Sequence, residues 1–247
     1  MTTPYEKVFH IPASAVDRFD RLKPGSILEY MQEMAGDHSV LLGSGRQHLT
    51  EKGLFWAVIR HRIQIFRLPK AGENIRIKTW PMPITRTAYP RATAAFDEAG
   101  NEIFRSVSLW VLMDVSTRAM ILPGKSGVEV PGIVLGDEPA IPTSLPLKAP
   151  ENQLHRQVRF SDLDYNGHMN NCRYLDWVAD LMDCDFHREH TPAEIVLNYL
   201  SEAREGERLQ LSWELSGEGY LTVQARRPEE EVSTNHSRVF AAQLQYK

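Results

Sequence analysis

Ile27-Leu28-Glu29-Tyr30-Met31-Gln32-Glu33-Met34-Ala35 and Tyr174-Leu175-Asp176-Trp177-Val178-Ala179-Asp180-Leu181-Met182 are the two stretches on which the fold turns. In the first, Ile27, Tyr30, Met31, Met34 and Ala35 fall at i, i+3, i+4, i+7 and i+8. In the second, Tyr174, Trp177, Val178, Leu181 and Met182 do the same. That spacing gathers each set on one face and predicts two buried helices. A strand-like run precedes each, Lys7 to Ile11 and His155 to Phe160, and then a polar loop. The first loop passes through Phe19, Asp20 and Pro24; the second spans Asp162 to His168 and contains the Asn166-Gly167 turn. A shift of 144 positions carries Asp20 onto Asp164, Tyr30 onto Tyr174 and Ala35 onto Ala179.

Working outward, each helix leads into a β-rich stretch. Phe55 to Phe66, Asn74 to Trp80, Thr87 to Asp97 and Ile103 to Asp114 read as strands in the first half. Glu194 to Leu200, Leu209 to Ser216, Tyr220 to Arg226 and Ser237 to Tyr246 read as strands in the second, with glycine turns between them. Between the halves, Pro131 to Pro150 carries five prolines and two glycines, a linker composition expected to lie extended over the surface. Strand, helix and four antiparallel strands, twice over, are satisfied by a sheet wrapped around a central helix. The expected class is therefore α+β: two tandem hot-dog repeats, 1–135 and 154–247, joined by a linker over 136–153 and packed as a pseudo-dimer. A generic α+β protein with two chance-similar domains is the less economical reading.

Bulk properties exclude several function classes. A net charge of -4 offers no general attraction to nucleic acid or to an anionic membrane. The opening MTTPYEKVFHIPASAVDRFD has no hydrophobic core of signal-peptide length, and no later stretch reaches the roughly eighteen apolar residues of a membrane span. A cytoplasmic location is the expectation. On a single helix, Cys172 and Cys184 would stand about 18 Å apart, beyond disulfide reach, and they read as reduced. Pro123-Gly124-Lys125-Ser126 lacks the first glycine of a phosphate loop, Gly43-Ser44-Gly45 lacks nucleophile-elbow spacing, and His187 with His190 has no third ligand. Neither a cofactor nor a metal is expected.

One cluster concentrates chemistry: Asp162-Leu163-Asp164-Tyr165-Asn166-Gly167-His168-Met169-Asn170-Asn171-Cys172-Arg173-Tyr174. A helix cap explains Asn170 and a turn explains Asn166-Gly167. Neither requires Asp164, Asn166 and His168 together, and the first half has Pro24-Gly25-Ser26 instead. If the helix starts here, the Gly167, His168 and Met169 amides would stabilise negative charge developing on a carbonyl oxygen. Histidine would assist proton transfer, and a carboxylate would orient it or a water.

Asp164-Tyr165-Asn166-Gly167-His168-Met169-Asn170-Asn171, followed by Tyr174 and Trp177, resembles the signature of plant and bacterial acyl-ACP thioesterases, Asp-x-Asn-x-His-(Val/Met)-Asn-Asn-x-x-Tyr. Tyr199-Leu200-Ser201-Glu202-Ala203 is similar to a second element of that family, and Trp80, the region of Arg86 and Ser108 to Asp114 with Thr117-Arg118 resemble its N-terminal repeat. The resemblance runs from about Tyr5 to Tyr246. It implies a catalytic set of Asp164, Asn166, His168 and Glu202, with hydrolysis of acyl-ACP to free fatty acid and ACP ending chain elongation in fatty acid biosynthesis. Ala203 stands where many plant members have cysteine, so attack by water is expected rather than by a thiol, with Glu202 or His168 as the base. Substrate contacts would come from Gly167 and Met169. The resemblance further implies an acyl chain housed in the N-terminal repeat, with Met31, Met34, Trp56 and Val58 as candidate wall residues. The partner would be acyl carrier protein, which is acidic in this family, at a basic entrance including Arg60, His61, Arg62 and Arg67. A bacterial type is expected from the missing transit peptide, and a homodimer is open. The rival readings are an acyl-CoA thioesterase, then a non-catalytic acyl-binding hot-dog protein, then a hot-dog dehydratase.

Overall fold

The computed structural model describes residues 3–136, 138–146, 150, 152–228 and 237–247. The chain divides into two compact units, Met1–Pro142 and Thr143–Lys247. Their boundary falls inside the stretch read as a linker, of which residues 137, 147–149 and 151 lie outside the described residues.

The N-terminal unit runs β1 (Tyr5–His10), α1 (Pro24–Leu41), α2 (Arg46–Glu51), β2 (Leu54–Ile65), β3 (Asn74–Pro81), β4 (Tyr89–Phe96), β5 (Glu102–Asp114), β6 (Met120–Ile121) and α3 (Pro123–Ser126). Its sheet is antiparallel in the order β1-β3-β4-β5-β2, with β6 on β5. Pro24 sits in the first turn of α1, where a missing N–H costs nothing and the fixed φ suits a helix. Of the face that periodicity predicted, Ile27, Met31, Met34 and Ala35 are buried and Tyr30 is half-buried, and Leu28 is buried beside them. β1 lies against the same helix through alternate side chains. Tyr5 stacks on His38, Lys7 bonds Glu33 and Asp37, and Phe9 packs on Tyr30.

The register across β3, β4, β5 and β2 lays out the interior in rows. Ile77, Ala95, Phe104 and Ile65 form an apolar row; Thr79, Thr93, Ser106 and Ile63 the next; Pro81, Arg91, Ser108 and His61 a third. Helix α1 reaches these rows where Ser106 Oγ meets Met31 Sδ at 3.5 Å and Arg91 Nη1 donates to His38 Nδ1 at 3.1 Å. Buried polar groups need partners: the Thr79 hydroxyl donates to the Ala92 carbonyl at 2.8 Å and that of Ser108 to the Arg91 carbonyl at 3.3 Å. Burial lowers Arg91 to about 10 and, helped by the Arg91 charge, lowers His38 to about 4. Burial alone lowers His61 to about 3. The outer face is covered as well. Trp80, Ala92, Ala94 and Val107 pack with Met82, Phe96 and Ile133. Trp80 Nε1 donates to Glu138 at 3.0 Å, and Gly132 runs so close to Pro83 that a Cβ would fall 2.4 Å from its nitrogen.

The C-terminal unit runs β7 (Asn152–Gln157), a 3-10 turn (Phe160–Asp162), α4 (Arg173–Ala179), α5 (Cys184–Glu189), β8 (Pro192–Tyr199), β9 (Arg208–Leu215), β10 (Tyr220–Arg226) and β11 (Arg238–Tyr246). Its antiparallel sheet has the order β8-β11-β10-β9-β7. Leu145, Pro146 and Pro150 lie over Thr222, Gln224, Ala241 and Gln243 of this sheet, and the Leu145 amide donates to Asn198 Oδ1 at 3.3 Å.

The helix of this unit is shorter than its periodicity predicts. After Ala179 the Leu181 and Met182 amides bond three residues back, to Val178 and Ala179, a tightening typical of a helix end. Asp183 then caps α5 by accepting from the Phe186 amide at 2.8 Å. Cys172 and Cys184 thus belong to different elements rather than one helix, and both are reduced. Tyr174, Trp177 and Val178 are buried as expected, with Tyr174 edge-on to Phe240 at 4.7 Å and to Tyr199 at 5.5 Å.

Since His38 and His61 are buried neutral, an unfolded chain takes up protons below its ordinary pKa of about 6.5 that the folded chain refuses. Their contribution to stability is complete above about pH 6.5 and drains away as pH falls toward 4. Urea midpoints are expected to drop between pH 7 and pH 5, and the drop is expected to be smaller in His61→Gln. An equal drop in both proteins removes His61 as a source of the acid sensitivity.

Candidate active site

Asp164 to His168 form a five-residue hairpin. The Asp164 amide donates to the His168 carbonyl at 2.9 Å, and the Gly167 amide returns to the Asp164 carbonyl at 3.0 Å. Gly167 has φ 78, the left-handed region that glycine enters without a Cβ penalty. The Asp164 carboxylate braces the turn from inside: Oδ1 accepts the Asn166 amide at 2.8 Å and Oδ2 the Asn166 side-chain amide at 3.2 Å. This is an Asx turn.

The N-terminal unit contains the same turn. The Asp17 amide donates to the Arg21 carbonyl at 2.8 Å, the Asp20 amide to the Asp17 carbonyl at 3.1 Å, and the Phe19 amide to Asp17 Oδ1 at 2.8 Å. Asp20 takes the positive φ, 57, a conformation aspartate tolerates better than most residues. The bridges Val16–Leu22 and Leu163–Met169 close the two loops. Hydrogen bonding therefore equates the loops at a shift of 147 positions, not 144: Asp17 answers Asp164, Phe19 answers Asn166, and Arg21 answers His168. A polar match in sequence pairs letters, whereas the turn is defined by which carboxylate accepts which amide.

After the turn, the Met169 amide donates to the Ala203 carbonyl at 2.8 Å, as the Leu22 amide donates to that of Pro69 at 2.7 Å. That bond sets the chain stretch carrying His168 beside the one carrying Glu202, and His168 Nε2 lies 3.2 Å from Glu202 Oε2. The imidazole side chain is 12% exposed and the carboxylate 43%, so the pair has a sheltered end and a wet end. In the N-terminal unit Leu68 occupies the place of Glu202, and Arg21 folds back onto Asp17 Oδ2 at 3.0 Å. The scaffold is common; the Asn166, His168 and Glu202 side chains are peculiar to one copy. Ala203 is fully buried, which leaves no room for a larger side chain in this pairing.

The four residues named from the sequence thus form two contacts, Asp164 with Asn166 and His168 with Glu202, on one hairpin and the segment bonded to it. The helix-start arrangement expected for the Gly167, His168 and Met169 amides is not found. Helix α4 begins only at Arg173, and Asn170 Oδ1 accepts the Cys172 amide before it. Gly167 and Met169 spend their amides on the Asp164 and Ala203 carbonyls, so neither is a free donor. The His168 amide donates to no backbone carbonyl among the described residues. Met31, Met34 and Val58 are buried in the N-terminal unit, and Trp56 bonds the Ser44 carbonyl and meets Tyr89 edge-on at 4.8 Å. Met31, Met34 and Val58 belong to the core of that unit, and Trp56 is half-buried against it. The basic entrance is also corrected in part. His61 is buried and neutral, and Arg67 is paired with Glu73 at 2.8 Å and Asp97 at 3.3 Å. Among the described residues no cluster of His, Cys, Asp and Glu is arranged to hold a metal ion, and no helix is long and apolar enough to cross a membrane.

Sequence reasoning missed three supports. Trp177 Nε1 donates to Asp162 Oδ1 at 3.3 Å, tying α4 to the start of the loop. The Tyr199 hydroxyl donates to the Asn171 carbonyl at 3.0 Å. Arg227, just beyond β10, bonds Ser201, Glu202 and Glu207. Tyr174, Trp177 and Tyr199 were visible as motif letters, but nothing local marks Arg227.

Two family models match the chain: acyl-ACP thioesterase N-terminal domain over residues 2–122 and acyl-ACP thioesterase C-terminal domain over residues 147–243. The chloroplastic palmitoyl-acyl carrier protein thioesterase of Gossypium hirsutum is 26% identical over 206 residues, 75% of this chain and 48% of that protein. The chain spans about half the length of the curated relatives it matches. A crystal structure of an acyl-ACP thioesterase from Bacteroides thetaiotaomicron superposes with a TM-score of 0.82 at 24% identity, covering 99% of this chain and 98% of that one. The 12:0-ACP thioesterase from Umbellularia californica gives 0.81 at 21% identity, over 99% and 97%. These two likenesses show the fold, a hot-dog sheet around a helix in each half.

The turn geometry separates the jobs of Asp164 and Asn166. Asp164→Ala leaves the Asn166 amide without its acceptor and is expected to cost about 1 kcal/mol in urea denaturation. Asp164→Asn retains an acceptor oxygen and Asn166→Ala removes an exposed group, so both are expected to stay within about 0.5 kcal/mol of wild type. Equal losses in all three variants would contradict the bracing role of the Asp164 carboxylate.

Proposed function

Because the chain belongs to the acyl-ACP thioesterase family, we propose that it hydrolyses the thioester of acyl-ACP to free fatty acid and ACP. The observation that carries this reading is the pairing of His168 with Glu202 beside Asn166, in the one copy of a duplicated turn that has these side chains. In the proposed reaction a water oxygen bonds to the thioester carbonyl carbon while its proton passes to the protein. The carbonyl oxygen gains the negative charge. Collapse breaks the carbon–sulfur bond, and the phosphopantetheine sulfur leaves with a proton.

His168 is the base in this scheme. With Nε2–H directed at Glu202, the lone pair on Nδ1 is available to accept the proton, and an imidazole ordinarily titrates nearer neutrality than a carboxylate. Glu202 orients the ring and stabilises the cation formed on it, the logic of an oriented base in hydrolytic triads. The Asn166 side-chain amide gives one hydrogen to Asp164 and has a second for the developing oxyanion. No thiol takes part, since Ala203 follows Glu202. A role in bacterial fatty acid biosynthesis and a reducing, cytoplasmic location belong to the same reading, the latter supported by two reduced cysteines.

The decisive experiment follows fatty acid release from acyl-ACPs and matched acyl-CoAs over a range of chain lengths. Release from acyl-ACP is expected, with kcat reduced about 10² to 10⁴-fold in His168→Ala and at least about 10²-fold in Asn166→Ala. Preferential release from acyl-CoA would replace the carrier-protein substrate with the CoA ester. Acyl-chain binding without release from either would make this a binding protein.

A further inference from the structure

We propose that Arg227 is a positioning residue that sets the reach of Glu202 toward His168, an inference that rests on the thioesterase reading above. The Arg227 side chain is 11% exposed, and its donors converge on one stretch of chain, residues 201–207. Nε donates to Glu207 Oε2 at 2.8 Å, Nη1 donates to Ser201 Oγ at 2.8 Å, and Nη2 donates to the backbone carbonyl of Glu202. Three bonds from one planar group define an orientation, which a single point of attachment does not.

The third acceptor gives the arrangement its consequence. The carbonyl held by Nη2 is that of Glu202 itself, so the guanidinium fixes the peptide plane from which the carboxylate extends. Other bonds place the segment: the Leu200 and Ser201 amides both donate to the Val239 carbonyl, the Ser201 hydroxyl donates to the Arg238 carbonyl at 2.7 Å, and the Ala203 carbonyl accepts from Met169. These locate the backbone on either side of Glu202, and Arg227 fixes the rotation between them. Without that anchor the direction in which the Glu202 side chain leaves the backbone would vary, and a carboxylate that is 43% exposed would meet His168 less often. The charge of Arg227 is paired with Glu207 at 2.8 Å, and the role proposed for its other donors is geometric. Lysine, which keeps the charge but presents its donors from one nitrogen, is not an equivalent.

The test compares steady-state hydrolysis of acyl-ACP by wild type, Arg227→Gln, Arg227→Lys, Glu202→Gln and the Arg227→Gln/Glu202→Gln double variant, with melting temperatures for each. Arg227→Gln and Arg227→Lys are both expected to lower kcat at least about tenfold, the scale of a misplacement well under 1 Å, with KM little changed. In the Glu202→Gln background the Arg227→Gln change is expected to lower kcat no further, because the group it positions is gone. Should Arg227→Gln fail to fold, Ser201→Ala, which removes one of the three acceptors, is expected to lower kcat alone and to be silent in the Glu202→Gln background. An unchanged kcat, or losses that multiply in the double variant, overturns the positioning role alone. A wild type that releases no fatty acid overturns the thioesterase reading and this inference with it.

Discussion

One backbone hydrogen bond, from the Met169 amide to the Ala203 carbonyl, sets two distant stretches of chain side by side, with the bridge between His168 and Arg204 next to it. On one side it holds the hairpin of Asp164, Asn166 and His168; on the other it holds Glu202. With Ala203 fully buried, neither partner of that bond can drift far, and the 3.2 Å approach of His168 to Glu202 is inherited from it. The site is thus a property of backbone pairing first and of side chains second, which suits chemistry that tolerates little misplacement.

The duplicated scaffold shows what is structure and what is chemistry. Both units build the same aspartate-braced turn, both close it with an antiparallel bridge, and both pair the next amide with a distant carbonyl. In the N-terminal copy the turn aspartate is saturated by Arg21, and the facing residue is Leu68. In the C-terminal copy Asn166 occupies the aspartate, which leaves the imidazole of His168 to a carboxylate on another segment. The two turns differ by a change of partners at three side chains on a shared backbone pattern.

The interior of the N-terminal unit is unusual in another respect. Two rows of its sheet beneath α1 present threonine, serine, arginine and histidine, and hydrogen bonds among them and to the backbone offset the desolvation. The histidines stay neutral under this burial, which ties the unit's stability to pH.

Elements were legible in the sequence wherever a local period carried them. Alternation located eight of the nine strands that follow the two helices among the described residues, missing only the two-residue β6, and for Tyr220–Arg226 it gave the same limits as the structure. The i, i+3, i+4 pattern found the buried faces of both helices, and the Asp164-to-His168 letters marked the loop that carries the candidate site. Periodicity overran at Leu181 and Met182, because an apolar face continues across a helix break that Asp183 creates by capping the next helix. Letter matching placed the repeat three positions out of register, because it could not see which amide each aspartate accepts. The sequence by itself determined the two α+β repeats and the residue types of the site. Only the tertiary structure decided that the helix start lies beyond the Asp164-to-His168 loop, that His168 faces Glu202, and that Arg227, just past the end of β10, holds the Glu202 carbonyl. Periodicity records which side of an element is buried. A hydrogen bond between distant segments depends on strand order and register, which a single sequence does not carry locally.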